Sequence, residues 1–211
     1  MDNLCNQCPR HCNTDRTNTL GYCKSYSTLK IARASLHYDE EPIISGTLGS
    51  GTIFFSGCNL KCVYCQNYPI SHENFGKEVT IDKFIKIMQN LEKQGAHNIN
   101  LVTPTHFVDK IIEALNIYRP KVPIVYNSNG YESVETLKKL APYIDIYLVD
   151  IKYFDSTLAN TLSQAKDYFS VAISSIQQMR QNQPKDIYSN GLLTKGMIIR
   201  HLNVLELILD S

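Results

Sequence analysis

The sequence predicts an α/β protein built on a parallel sheet, and three observations carry that expectation. From Gly51 onward, short runs rich in β-branched and aromatic residues alternate with stretches of helical spacing. Gly130, Pro142 and Gly191, residues that favour turns, fall between those stretches. The polar residues that stand out gather where the strand-like runs end. A strand, a helix and a second strand in succession need a crossover, which lays the strands parallel in one sheet. Five such strands can be counted in 211 residues, short of a closed eight-stranded barrel, which takes about 250. An open or partial α/β barrel fits, and so does a doubly wound sheet. In both, functional residues sit at the carboxyl ends of the strands.

The elements follow in order. Residues 1–50 are turn-rich and read as a Cys-rich N-terminal metal-binding extension, and residues 51–211 read as the α/β unit. TIFFSG (52–57) is the first strand and runs into a second group of cysteines. TIDKFIKIMQNLEKQ (80–94) places apolar residues at 81, 84, 85, 87, 88 and 91, one face of a helix, with Thr80 as its N-cap and Gly95 as its stop. NINLVT (98–103) is the second strand and VDKIIEALNIY (108–118) the next helix. PIVYN (123–127) is the third strand, followed by SVETLKKLA (133–141), a helix with Ser133 as cap. DIYLVDIK (145–152) is the fourth strand, and a helix over 167–183 presents Phe169, Ala172, Ile173, Ile176 and Met179. KGMIIRHL (195–202) is the fifth strand. The cysteine loop therefore follows strand one, TPTH strand two and NSNGY strand three; Asp150 with Lys152, and Arg200 with His201, close the last two.

Apolar residues make up 43% of the chain and charged residues 19%, a globular rather than a disordered composition. A formal charge of +1 gives no basic excess for nucleic acid. No apolar run approaches the roughly 20 residues of a membrane helix, and the start, MDNLCNQCPR, has no apolar signal-peptide core. The expectation is a cytoplasmic protein without nucleic-acid or membrane partners.

Seven cysteines fall in two groups: Cys5, Cys8, Cys12 and Cys23, then Cys58, Cys62 and Cys65 within GCNLKCVYCQN. Clustering and an odd count favour metal or redox chemistry over a disulfide framework. The second group has the spacing C-x3-C-x2-C, a loop short enough to wrap one compact inorganic group, and thiolates suit an iron–sulfur cluster or zinc. A structural zinc takes four ligands, yet neither His72 nor the N-terminal cysteines stand at finger spacing. A four-iron cluster on three cysteines leaves one iron without a protein ligand and open to chemistry. The bland alternative is three buried or zinc-binding cysteines. The first group, C-x2-C-x3-C-x10-C, suits a structural zinc or a second iron–sulfur cluster, with His11 able to replace one thiol. A metal there would pin a segment too poor in apolar residues to order itself; disulfides or idle thiols are the alternative.

The form C-x3-C-x-aromatic-C, with Tyr64 ahead of the last cysteine, resembles the signature of the radical S-adenosylmethionine (SAM) enzymes. EEPIISGTLGSGTIFFSGCNLKCVYCQNYPIS, GAHNINLVTPTHF, PIVYNSNGYE and IIRHL, with CNQCPRHCNTDR at the amino end, resemble the pyruvate formate-lyase activating enzyme-related branch. The resemblance covers nearly the whole chain to about Leu202. It implies a partial (β/α)6-type TIM barrel with a [4Fe-4S] cluster on Cys58, Cys62 and Cys65 at its mouth. It also implies SAM chelated to the open iron and cleaved reductively to a 5′-deoxyadenosyl radical, a one-electron donor such as flavodoxin or ferredoxin, and either a protein substrate on which a glycyl radical is installed or some other substrate that the radical modifies.

The same resemblance implies which residues hold SAM, Tyr64 among them. The loop after strand two usually carries a Gly-Gly-Glu contact to the SAM amino group. Here it reads Thr103-Pro104-Thr105-His106, whose hydroxyls and carbonyls are acceptors; Thr103 and Thr105 are the expected contacts, and Thr105 reads equally well as a helix cap. Asn127, Ser128 and Asn129 resemble the strand-three motif, and Asp150-Ile151-Lys152 an Asp-Leu-Lys stretch; both line the SAM carboxylate side through a bound monovalent cation. Lys152 would also serve simply as the partner that a buried Asp150 needs. Arg200 suits a carboxylate or substrate contact, a surface strand end being the alternative. The resemblance leads one to expect further sheet elements after IIRHL, and NVLELILDS departs from the expected proline-containing continuation. The alternative reading is a truncated, catalytically inactive iron–sulfur or zinc-binding remnant.

Overall fold

A computed structural model describes residues 4–201. The expected end of the fifth strand at Leu202, and the segment NVLELILDS, lie outside the described residues. In chain order the elements are β1 (Lys30–His37), α1 (Pro42–Ser45), β2 (Ser50–Phe55), α2 (Tyr68–Ser71), β3 (Lys77–Glu78), α3 (Ile81–Lys93), β4 (Ile99–Val102) and α4 (Val108–Ile117). They continue with β5 (Ile124–Ser128), α5 (Val134–Leu140), β6 (Ile146–Ile151), α6 (Ser156–Ser163), α7 (Tyr168–Asn182), β7 (Ile187–Ser189) and β8 (Leu192–His201).

The strands lie in the order β3-β1-β2-β4-β5-β6-β8-β7. β2, β4, β5, β6 and β8, the five strands read from the sequence, run parallel and stand side by side in chain order. That order lacks the reversal of a doubly wound sheet. The sheet is open: β3 and β7 end it on either side.

The longer helices form where the sequence repeats at helical spacing. α3 buries Phe84, Ile85, Met88 and Leu91, and Thr80 Oγ1 caps it by accepting from the Lys83 amide at 3.2 Å. Each such burial contributes on the order of 2 kcal/mol. Ser133 precedes α5 as expected, but its hydroxyl donates to Glu135 at 3.0 Å and not to the helix.

The two faces of the parallel strands differ, as strand periodicity requires. One face, with Ile99, Leu101, Ile124, Tyr126, Tyr147 and Val149, packs with residues of α3, α4, α5 and α7 in the main core. The opposite face carries Val125, Ile146 and Leu148 in a small cluster with Ile44 of α1. Two residues further along each strand that face turns polar, at Asn127 and Asp150, and at Arg200 beyond Ile198. The carboxyl end of this inner face is where the site residues collect.

The expected boundary at residue 50 needs correction. β1, from the expected extension, pairs antiparallel with β2 from His37↔Ser50 to Ile31↔Phe55, so residues 30–37 belong to the sheet. β1 is hard to read because only Ile31 of its eight residues is buried; the alternation that marks a half-buried strand is missing. α6 also lies between the fourth predicted strand and the predicted 167–183 helix, starting on an Asp155 cap that accepts from the Leu158 amide.

Candidate functional site

Cys58, Cys62 and Cys65 lie on the loop after β2, where the chain leaves the sheet through Gly57. Gly57 has φ +85°, and a Cβ there would run into the Cys23 carbonyl and the Ser25 hydroxyl, so only glycine fits. Cys58 and Cys62 are buried and Cys65 is partly so; all three are free thiols. Burial is the main influence on the first two. It pushes Cys58 up to about 12, with Cys62 adding repulsion, and raises Cys62 against a hydrogen bond from Ser163. Bare, these sulfurs hold their protons, and loading a metal group displaces them.

Each of the three sulfurs accepts a hydrogen bond from a side chain on a different part of the chain. Asn129 Nδ2, after β5, donates to Cys58 Sγ at 3.4 Å, as does the Leu60 amide. Ser163 Oγ, at the end of α6, donates to Cys62 Sγ at 2.9 Å. Ser71 Oγ, at the end of α2, donates to Cys65 Sγ at 3.1 Å. His72, the nearest additional donor read from the sequence, places Nδ1 2.7 Å from Ser71 Oγ and stacks its ring on Tyr68, and burial lowers its pKa. Among the described residues no three His, Cys, Asp or Glu side chains converge at the spacing of a single metal ion. Three sulfurs on one short loop, each with its own donor, fit a cluster whose ligands stand on separate irons.

The ends of the other strands close around this loop. Asn129 also donates to Asn59 Oδ1 at 2.8 Å, and Asn59 Nδ2 donates to the Tyr131 carbonyl at 2.6 Å. Gly130 has φ +82°, and a Cβ there would sit 2.5 Å from the Asp150 carbonyl. The Tyr168 hydroxyl lies 2.8 Å from the Asn129 carbonyl and 3.0 Å from that of Asp150, and accepts from the Lys152 amide. Tyr64 makes a hydroxyl contact with Tyr153, which in turn stands 2.6 Å from Ser163 Oγ. A chain of hydroxyls thus runs from Tyr64 to the Cys62 sulfur.

Apart from Tyr64 and Asn129, which stand by the cysteine loop, the expected SAM-binding residues fall into two sets. Asn127, Asp150, Lys152 and Arg200 meet in one polar network. Arg200 donates through Nε to Asp150 (2.7 Å), through Nη1 to Glu40 and Glu41 (3.2 and 3.3 Å), and through Nη2 to Asn127 Oδ1 (2.9 Å). Lys152 Nζ stands 2.8 Å from Asp150. Burial alone would depress Lys152, but Asp150 outweighs it and holds the ammonium above its ordinary range. The site holds three carboxylates against two cations, and the guanidinium of Arg200 is engaged at every nitrogen. Glu40 is raised, chiefly by burial, with Arg200 opposing. Glu40 and Glu41 were not singled out by sequence reasoning; they come from the connection between β1 and β2, and EEP carries no signal of its own.

The second set turns inward. Thr105 and Ser128 are buried, and both hydroxyls donate to Glu132, at 2.7 and 2.5 Å; Tyr126 adds a third donor at 3.0 Å. A buried acid takes both hydroxyl protons. Thr103 sits at φ +55° with its amide on the Asn127 carbonyl. Burial raises Glu132 to about 7 in spite of its three donors. His106, next to Thr105, is also buried; it contacts the Ser56 carbonyl at 2.8 Å and is held down to about 3, first by burial and then by Arg16. Neither residue was assigned a role from the sequence; Glu132 follows Gly130-Tyr131 with nothing in the local pattern to show that it points inward.

The N-terminal cysteines share one neighbourhood. Burial pushes Cys8 up to about 12 and raises Cys23, while Cys5, Cys12 and Cys23 add mutual repulsion. The segment packs directly on the site: Arg10 donates to the Asn59 carbonyl at 2.7 Å and to the Ser163 and Gln164 carbonyls.

Among the described residues no helix is long and apolar enough to cross a membrane. Residues 52–208 match the Radical SAM superfamily. An uncharacterized protein of Methanocaldococcus jannaschii is 33% identical over 212 residues, covering 94% of this chain and 56% of its own length. A second uncharacterized protein of that organism is 25% identical over 70% of this chain and 49% of its own, so the chain spans about half the length of these relatives. The 7-carboxy-7-deazaguanine synthase of Clostridium acetobutylicum is 25% identical over 72% of each chain. With the family matched over most of its length and three cysteines placed together at the carboxyl end of a parallel sheet, the chain belongs to the Radical SAM superfamily.

Proposed function

We propose that Cys58, Cys62 and Cys65 hold a [4Fe-4S] cluster whose fourth iron binds SAM, within an open arc of a (β/α)6-type barrel. We further propose that the chain is the core of an enzyme of the pyruvate formate-lyase activating enzyme-related kind. When bound, the reduced cluster supplies one electron, taken from a donor such as flavodoxin or ferredoxin, that breaks the sulfonium C–S bond of SAM and yields a 5′-deoxyadenosyl radical able to take hydrogen from a substrate. A protein substrate that receives a glycyl radical is the reading that goes with this branch. The observation that carries the proposal is the set of three buried or half-buried sulfurs, each with one donor, on the signature loop.

The chain's own residues do three things. Asn129, Ser163 and Ser71 orient the sulfurs and moderate their charge. The packed loops around Asn59, Tyr131 and Tyr168 keep water from the sulfurs. Asp150, Glu40 and Glu41, with one carboxylate in excess over Arg200 and Lys152, give this end of the sheet a surplus of negative charge suited to the ammonium and sulfonium of SAM. Anaerobic reconstitution with iron and sulfide is expected to give a brown protein, and dithionite with SAM to give 5′-deoxyadenosine. A brown protein that leaves SAM intact would support the inactive remnant, and a colourless zinc protein would end the proposal.

A further inference from the structure

Arg16 is a buried cation without an anion. It is 4% exposed, and among the described residues no carboxylate pairs with it. Its Nε donates to the Ser25 carbonyl at 3.1 Å, its Nη2 to the Tyr26 carbonyl and its Nη1 to the His106 carbonyl, both at 2.5 Å, and the guanidinium stands over the Phe107 ring. Carbonyls satisfy its protons but leave its charge uncompensated, and an uncompensated buried charge is costly. The remaining contact of Nη1 is with Cys5 Sγ at 3.7 Å. Cys5 shares its surroundings with Cys8, Cys12 and Cys23, so the one group able to bring negative charge beside the guanidinium is this set of four sulfurs once they ligate a metal group.

The backbone gives a second reason. His11, Asn13 and Lys24, each next to a cysteine of this group, hold φ of 40°, 47° and 59°. Non-glycine residues pay on the order of 1 kcal/mol or more for such angles unless their surroundings impose them. Yet the segment before β1 has no helix or strand, only an isolated bridge from Leu4 to Asp15. Short turn bonds such as His11 N to Cys8 O and Lys24 N to Gly21 O hold these left-handed residues, and a metal group bound by the neighbouring cysteines would fix them further.

We propose that Cys5, Cys8, Cys12 and Cys23 ligate a second iron–sulfur cluster, with Arg16 as its buried counter-ion. Four thiols give up their protons as four thiolates bind four irons, and the resulting negative charge falls beside the guanidinium. A cluster is proposed rather than a single zinc because it takes each thiolate on a separate iron, whereas zinc needs the donors closed on one ion and among the described residues no such group of three is found. The site is tied to the first one. Arg10, between Cys8 and Cys12, stacks between Tyr22 and Tyr131 at 4.3 and 4.9 Å and binds the Asn59 carbonyl; the Cys23 carbonyl lies where a Gly57 side chain would be.

The test uses the full chain with Cys58, Cys62 and Cys65 all replaced by alanine, reconstituted anaerobically with iron and sulfide. About four irons and four sulfides per chain are expected to remain, and further replacement of Cys8 and Cys23 by serine should remove them. Zinc alone, or no metal, in the triple variant would overturn the proposal. Should that variant fail to fold, the wild-type chain decides: about eight irons support a second cluster, and saturation at about four refutes it. Arg16→Gln is expected to shed about half of the wild-type iron, with Arg16→Lys retaining it; equal retention in both would remove the counter-ion role.

Discussion

Replacing Glu132 with glutamine tests whether the mouth of the sheet is held by a buried acid. Its carboxyl ties Thr105, at the end of β4, to Ser128 and Tyr126 on β5. Burial is the largest influence on it and carries its pKa from 4.5 up to about 7, the three hydroxyl donors pulling the other way. Between those two values the folded chain holds a proton that the unfolded chain has released. Stability is therefore greatest below the lower value and falls as pH rises through the upper one. The full fall is on the order of 3 kcal/mol, with no discount for solvent because the group is completely buried. Glutamine cannot titrate, and its amide cannot accept from three hydroxyls at once, so the variant loses roughly 1–3 kcal/mol at low pH. Anaerobic urea unfolding followed by circular dichroism at pH 4.5 and pH 8 measures both effects. The wild type should lose on the order of 3 kcal/mol more between the two conditions than Glu132→Gln does. Parallel pH dependence in the two proteins would refute the reasoning.

Other outcomes follow from the same geometry. Ser163→Ala removes a 2.9 Å hydrogen bond to the Cys62 sulfur; because such bonds favour the reduced, more negative cluster, its midpoint potential should fall by about 20–40 mV, and an unchanged potential in an anaerobic redox titration would contradict this. Gly57→Ala places a Cβ against the Cys23 carbonyl at a φ of +85°, and is expected to cost about 2 kcal/mol or more and to lower the iron content after reconstitution. Arg200→Met leaves Glu40 and Glu41 without their cation and Asp150 with Lys152 alone; with Arg200 about one-third exposed, about 2 kcal/mol is expected in urea unfolding, and a loss below 0.5 kcal/mol would mean that the network is solvated.

The five parallel strands were legible because each carries a short run rich in apolar residues between turn formers, and the helices α3 and α4 because their apolar positions recur at helical spacing. The cysteine loop was legible because ligand spacing along a short loop is itself a local property. What escaped were partnerships made across the fold. Glu132 reads as a surface acid after Gly130-Tyr131, and only the approach of Thr105 from the neighbouring strand makes it a buried acceptor. Glu40 and Glu41 read as a polar turn, and become part of the site only because β1 doubles back along β2. Thr105 and Ser128 carry the right groups for a ligand, but a sequence does not tell which of two acceptors a hydroxyl will face.

The three donors to the cysteine sulfurs come from three separate places: the loop after β5, the last residue of α6 and the last residue of α2. Consequently the signature loop cannot present its sulfurs correctly until the neighbouring strand ends are in position. Asn129 is held by Asn59 and by the Tyr168 hydroxyl, and Tyr168 in turn bridges to β6 through the Asp150 carbonyl and the Lys152 amide. Ser163 is held by Tyr153, which follows β6 by two residues. A disturbance at β6, far from the cysteines in sequence, thus reaches two of the three sulfurs through one hydroxyl each. The cluster site is in this sense a property of the assembled sheet end and not of the loop, so a peptide carrying only GCNLKCVYCQN would keep the ligands and lose their donors.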